Sequence, residues 1–515
     1  MRILAPDWRI AIAGLFGFAL IPLLATPVLP LIDFYNHLAR FFVLSHIGSN
    51  SAFQTYYATH WALQPDIGLD FLAVPVLAVV PPLIAAHVIT IVILATLYGG
   101  VLYLNRVLTS QKSVLVAVLL LPLLYSYILN WGFANFLLGL GLAFWAAGWW
   151  LQNRHHPRLA VPISCLFSIV IFFTHGLAFA LYGVLVGSLE IGYFVNAPTR
   201  RLSDLLQSLF FLAAQAVIPL LFLFFWISSM APASPDAIAA AARFSQAAAA
   251  MRGDLPGRIL KRLVPILRVE EGPTYWFDVA TFVVQGVAMV FLMRCGRIAI
   301  ARKAWPLIAA AVLTVMIGAP VLFGVGYITD RMPLFAALVL LSTLCIRPGR
   351  WNNPSRVAGA ILVAVVFLRL VAVAVDWHAY ASEYREYQIL AAKIPPGSLT
   401  IGVPLGGGYH RTGNPRCEMY GPLLVAQYDQ GGPLFAQSDQ HPLLTRGRLK
   451  TAVEALYRSF PLEGIDDGSG YISAAASAGF DFQLVCNTQL LSQPLPSNVN
   501  LMARTAHFAL LRAAR

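Results

Sequence analysis

Charge is what this sequence has least of. Only 11% of its 515 residues are Asp, Glu, Lys or Arg, against roughly a quarter in a soluble globular protein. That excludes an ordinary soluble enzyme. Acid is scarcer than base, with 23 Asp and Glu against 35 Lys and Arg, for a formal net charge of +12. The bases do not make a nucleic-acid stripe, because they fall in short clusters between apolar runs, where membrane topology explains them. There is no P-loop and no G-x-G-x-x-G dinucleotide fingerprint, and no convincing internal repeat of the kind many transporters carry. Cysteine is rare, at five residues. Cys165, Cys295 and Cys345 fall in or near apolar runs as core residues; Cys417 and Cys486 share a polar tail, where an oxidised pair is one of two open states.

Long apolar runs are abundant. Windows near 20 residues, the length that crosses a bilayer, lie at about 10–32, 80–104, 113–129, 134–151, 160–174, 177–197, 206–229, 276–294, 305–326, 332–347 and 357–376. This predicts an all-α polytopic membrane protein with about 11 transmembrane helices over 1–376. The first run follows "MRILAPDWR" and exceeds a typical signal-peptide core, so no cleavable signal is expected. Gly176, Gly183 and Gly187 blur the boundary near 160–197. The segment before Pro81 and Pro82 is expected to be a short surface or re-entrant helix.

Every second connection is short and basic: Arg2 and Arg9; Arg106 and Lys112; Arg154 and Arg158; Arg200 and Arg201; Arg294 to Lys303; Arg347 to Arg356. By the positive-inside rule these are cytoplasmic. The N-terminus is then inside and, with 11 spans, the C-terminus outside; an even count would reverse the latter. The outer side receives the long loop 33–79, the turns "NWGFAN" and "THG", the segment 230–275 with an Ala-rich helix, "GVGYITDR", and a tail over 377–515. In the tail, "SLTIGVPL", "FDFQLVC" and "HFALLRA" read as strands between Gly- and Pro-rich turns, a small extracytoplasmic α/β domain.

The informative residues sit where apolar runs stop. "LPLIDFYNHLARFF" breaks into Asp33, His37 and Arg40, which share one helical face by i,i+4 and i,i+3 spacing. Asp33 reads as a helix N-cap or as a general base for a hydroxyl acceptor. Arg40 would orient that base or meet a phosphate, and His37 would share either task. Asp66 and Asp70 close the same loop. Asp33 and Asp66 could converge on a divalent cation, Mg or Mn; Asp70 is expected to be a solvent-facing acid. His175 follows "SIVIFFT" and either caps a span or lines a polar cavity. Lys261, Arg262 and Arg268 are basic on the outer side, for lipid headgroups, for a substrate phosphate, or because long loops escape the charge rule. Arg331 would pair with Asp330 or meet a lipid phosphate.

A first span ending in Asp, followed by "DFYNHLAR" in a long outer loop, resembles the C-type integral-membrane glycosyltransferases, relatives of the protein O-mannosyltransferases and aminoarabinose transferases. "YILNWGFANFLLG" and "TDRMPLFAALVLL" also look like segments of bacterial members. Many members carry two adjacent acids near the first span, whereas here Phe34 follows Asp33. The resemblance covers about 10–376. It implies a bacterial inner-membrane enzyme that takes a sugar from a polyprenyl-phosphate donor and passes it to an envelope glycan, lipid or protein. Asp33 would be the base or metal ligand, and Lys261, Arg262, Arg331 and, less directly, Arg40 would meet the departing phosphate. Two other classes compete: a lipid or polysaccharide transporter, kept open by the Pro-rich spans, and a non-catalytic envelope assembly protein with the tail as binding module.

Overall fold

An apolar run becomes a helix of about 1.5 Å per residue, and prolines decide where it breaks. The computed structural model describes residues 7–199, 201–229, 262–318, 327–347, 352–405, 416–434, 441–459, 468–488, 491 and 494–514. The first apolar window forms α1 (Trp8–Ala19) and the one-turn α2 (Ile21–Leu24), the latter opened by Pro22. Pro27 and Pro30 then keep the chain non-helical up to Asp33. The loop that follows is structured throughout by α3 (Phe34–His46), α4 (Ser51–Tyr56), β1 (Tyr57–Thr59) and the short helix α5 (Gly68–Leu77).

Beyond the Pro81–Pro82 break come α6 (Pro82–Thr109), α7 (Val114–Leu124), the one-turn α8 (Tyr127–Asn130), α9 (Ala134–Asn153), α10 (Pro157–Thr174), α11 (Gly176–Val195) and α12 (Leu202–Ser229). After them stand α13 (Tyr275–Arg294), β2 (Ile298–Ile300), α14 (Trp305–Ile317), α15 (Ile328–Thr343), β3 (Leu344–Ile346) and α16 (Asn353–Ala391). Among the described residues, seven of these helices are long and apolar enough to cross a membrane: α6, α9, α10, α11, α12, α13 and α16. The windows at 10–32, 113–129, 305–326 and 332–347 contain shorter helices. The segment 230–261, with the Ala-rich stretch, lies outside the described residues.

The basic connections gather at one end of the bundle. β2 pairs with β3 there, Arg347 N donates to Arg297 O, and Asn105 and Gln111 hold backbone carbonyls of 341–346. At the other end the loop 33–79 meets the tail. The tail holds β4 (Thr400–Pro404), α17 (Arg416–Tyr428), β5 (Leu443–Thr445), α18 (Gly447–Ser459), α19 (Gly468–Ala478), β6 (Phe482–Cys486), β7 (Val499–Arg504) and β8 (Phe508–Ala513). The three expected strand stretches are β4, β6 and β8. They join β7 in a sheet of order β4-β6-β8-β7, parallel between β4 and β6 and antiparallel elsewhere. Cys417 and Cys486 form a disulfide that ties α17 to β6.

The expected boundary at 376–377 falls inside α16. No Gly or Pro interrupts 360–394, so the helix runs 39 residues, about 58 Å, and carries the membrane part directly into the tail. Loop and tail share a further seam. β1 pairs antiparallel with β5, Tyr57 donates to Gly432 O at 2.7 Å, Asn50 donates to Asp429 at 3.0 Å, and α3 packs along α17.

Candidate functional site

Asp33 stands where the non-helical segment turns into α3. Three backbone contacts fix it. Leu29 N donates to the Tyr35 hydroxyl at 2.7 Å, Ile32 N to Asn130 O and Asp33 N to Trp131 O, both at 2.9 Å. The partner turn, "NWGFAN", is shaped by Gly132, whose φ of +79° favours glycine. A β-carbon there would lie 2.4 Å from Phe34 N, so only glycine lets the turn touch the start of α3. Asp33 occupies the N-cap position yet does not cap: its φ and ψ are helical and its side chain accepts no cap hydrogen bond. A functioning cap needs extended backbone at that residue. Its carboxylate has no ion pair among the described residues and is pushed up to about pKa 7, by burial first, then by Glu418, against the opposing pull of Arg331.

Arg331, on α15, is buried. Its guanidinium lies 4.2 Å from the Phe133 ring centre and 5.1 Å from that of Phe136. Its Nη1 is 2.9 Å from His175 Nε2, and its Nε is buried with no hydrogen-bond partner. His175 separates α10 from α11 in extended backbone and its Nδ1 accepts from Leu177 N at 3.1 Å. Both ring nitrogens therefore face N–H donors, whereas a neutral imidazole accepts at one only. Asp66 is the nearby acceptor. Its Oδ1 lies 3.7 Å from His175 Nε2 and has no hydrogen-bond partner. Asn135 donates to Asp66 O at 2.9 Å and holds the residue at a φ of +69°. Burial raises the Asp66 carboxyl to about 7, with Arg331 and Arg40 opposing. Asp33, Asp66, His175 and Arg331, drawn from four separate stretches, thus form one cluster.

Arg40 and His37 adjoin it in a different role. Arg40 is fully buried and makes a bidentate pair with Asp70, at 3.0 and 2.9 Å. The expectation of a solvent-facing Asp70 is corrected: the acid is fully buried because Arg40, also buried, requires a counter-charge. Arg40 Nη1 donates to His37 Nδ1 at 3.0 Å, so the i,i+3 relation holds. Burial and then the Arg40 charge keep His37 neutral. With two of its donors on Asp70, Arg40 orients the loop rather than standing ready for a phosphate. Arg262 is spent otherwise: its guanidinium reaches the Val315 and Gly318 carbonyls at the end of α14. Lys261 lies outside the described residues. Arg268 lies over the Tyr127 ring at 4.3 Å.

Sequence reasoning missed two neighbours from the tail. Glu418, on α17 beside Cys417, faces Asp33 closely enough to raise its pKa, and its own carboxyl is raised to about 7 by burial. His441 packs its ring 6.0 Å from that of His37. Neither signal was available in a polar tail, where an acid or a histidine is unremarkable. Among the described residues no three His, Cys, Asp or Glu side chains group to hold a metal ion. Asp33 and Asp66 instead share a fixed cation, Arg331. No protein-family model matches the chain, and no curated protein matches it.

Proposed function

We propose that the chain is a membrane glycosyltransferase of the C-type kind. It would transfer a sugar from a polyprenyl-phosphate donor to an envelope glycan, lipid or protein at the outer face of a bacterial inner membrane. One observation carries the reading: an unpaired, raised carboxylate, Asp33, stands beside a buried arginine, Arg331, whose Nε still lacks an acceptor. A base and an oxyanion partner in one recess are what glycosyl transfer from a lipid phosphate requires. The ionised Asp33 takes the proton of an acceptor hydroxyl. The acceptor oxygen bonds to the anomeric carbon as the bond from that carbon to the phosphate oxygen breaks. The lipid phosphate leaves with the electron pair, and the Arg331 guanidinium, positioned by His175, faces its negative charge. Burial, and then Glu418, keeps Asp33 basic near neutral pH.

This reading takes the full count of 11 spans, with α1–α2, α7–α8, α14 and α15 crossing beside the seven long helices. It places the basic end of the bundle in the cytoplasm and the tail in the periplasm, where the Cys417–Cys486 disulfide persists. A second reading, a lipid or polysaccharide transporter, is favoured by one feature. Arg369, buried on α16, binds Glu270 at 2.9 Å and Asp278 at 3.1 Å, and charged groups within membrane spans often line a translocation path. The test uses the purified chain in lipid nanodiscs with radiolabelled polyprenyl-phosphate sugars and an envelope-glycan extract, with and without EDTA. Transfer that disappears in Asp33→Asn supports the enzyme, and EDTA sensitivity would add a divalent cation. Donor movement across the bilayer without transfer would favour the transporter; neither activity would favour the assembly role.

A further inference from the structure

The bundle end remote from Asp33 contains a second site. α9 begins three residues after Trp131, whose carbonyl holds Asp33, and ends about 30 Å away along its axis. There α6 and α9 border a cavity of about 800 Å³, lined among others by Tyr103, Arg106, Lys112, Trp145, Trp149 and Gln152. Its aromatic wall is built by close packing. Tyr103 stacks on Trp145 at 5.0 Å and lies so near Gly148 that a β-carbon there would meet its ring at 2.6 Å.

The polar groups of this cavity are mostly donors. Tyr103 donates to Gln152 Oε1 at 2.8 Å, which leaves the Gln152 amide nitrogen as the group to be used. Trp149 Nε1 is buried and has no acceptor among the described residues. Arg106 and Lys112 form no ion pair among the described residues, and together with Arg9 they surround the Trp8 ring at 5.3–5.7 Å. The nearby acids are committed: Asp7 accepts from Arg9 N at 3.2 Å, and Glu190 accepts from Arg154 at 2.6 Å and Trp150 at 2.8 Å. Val107, Leu151 and Phe167 add an apolar part.

Two exposed cations without an ion pair among the described residues, an indole N–H without an acceptor and an apolar flank suit a phosphate attached to a hydrophobic body. Basic pockets between helices at a membrane face take such headgroups, and the volume admits more than a bare phosphate. We propose that this cavity binds the phosphate-bearing headgroup of an anionic phospholipid, independently of whatever reaction Asp33 performs.

Delipidated full-length protein in neutral detergent would be titrated with phosphatidylglycerol, with phosphatidylcholine and with glycerol 3-phosphate, reading intrinsic tryptophan fluorescence. The variants are Arg106→Gln with Lys112→Gln, and separately Trp149→Phe, which removes the indole N–H together with part of the ring. Saturable binding of phosphatidylglycerol, at least tenfold weaker in the double variant and absent for phosphatidylcholine, is the expected result. Glycerol 3-phosphate acting at the same concentration would replace the lipid by a soluble phosphate ester and overturn the lipid assignment. Equal binding by wild type and by whichever variants fold would overturn the site.

Discussion

At the scale of the residue, Asp33 is expected to trade stability for reactivity. Its folded pKa, about 7, exceeds the unfolded value of roughly 3.9. The folded state therefore favours the protonated carboxyl. The resulting stability is complete below about pH 4 and is lost as pH rises through about 7. Asp33→Asn removes that loss, so thermal unfolding at pH 8 should show the variant more stable than wild type by on the order of 1–3 kcal/mol. Melting curves at pH 4.5 should nearly coincide. Asp70→Asn should act in the opposite sense. It leaves the fully buried Arg40 without its counter-charge, a change that typically costs about 3–5 kcal/mol, readable as an earlier unfolding midpoint in detergent at neutral pH. Asp33, His175 and Arg331 were legible because each stands where an apolar run stops. The pairing of Arg40 with Asp70 was not, since 30 residues of loop separate them and nothing local specifies their meeting.

At the scale of the element, the site depends on how turns and helix ends are pinned. Gly132→Ala places a β-carbon against Phe34 N in a backbone conformation that disfavours it. The variant should lose at least about 1 kcal/mol of stability, and its transfer rate should fall more than its substrate affinity, because Asp33 N is held by this turn. The disulfide between Cys417 and Cys486 fixes the start of α17, the turn that carries Glu418. Replacing both cysteines by serine should lower stability by about 2–5 kcal/mol and should move the pH midpoint of Asp33 downward, as Glu418 moves away. A pH–rate profile of the serine variant checks this. The apolar windows announced the long helices, because run length is a local property. The helices α1 and α7 are shorter than their windows, with Pro22 opening a separate turn in the first and Pro122 near the end of the second, and residues 319–326 of the window that holds α14 lie outside the described residues. The tail strands β4, β6 and β8 were legible between Gly- and Pro-rich turns, while β5, β7 and the pairing of β1 with β5 were not; that pairing joins segments nearly 390 residues apart.

Across the whole molecule, the loop 33–79, the tail and the bundle converge on one recess. α16 runs unbroken from the membrane part into the tail, and α17 lies along α3. The tail thus supplies Glu418 and His441 to a cluster whose other members come from the 33–79 loop and the bundle. This arrangement explains why the sequence, read segment by segment, located most of the cluster and yet missed its tail half. The rate of sugar transfer in nanodiscs from pH 5.5 to 8.5, for wild type and Asp33→Asn side by side, decides whether Asp33 is the base. The wild-type rate should rise with ionisation through a midpoint near 7, and the variant should be at least about 100-fold slower with no such rise. A variant as fast as wild type, with the same pH dependence, would contradict that role and leave Asp33 a structural residue at the start of α3.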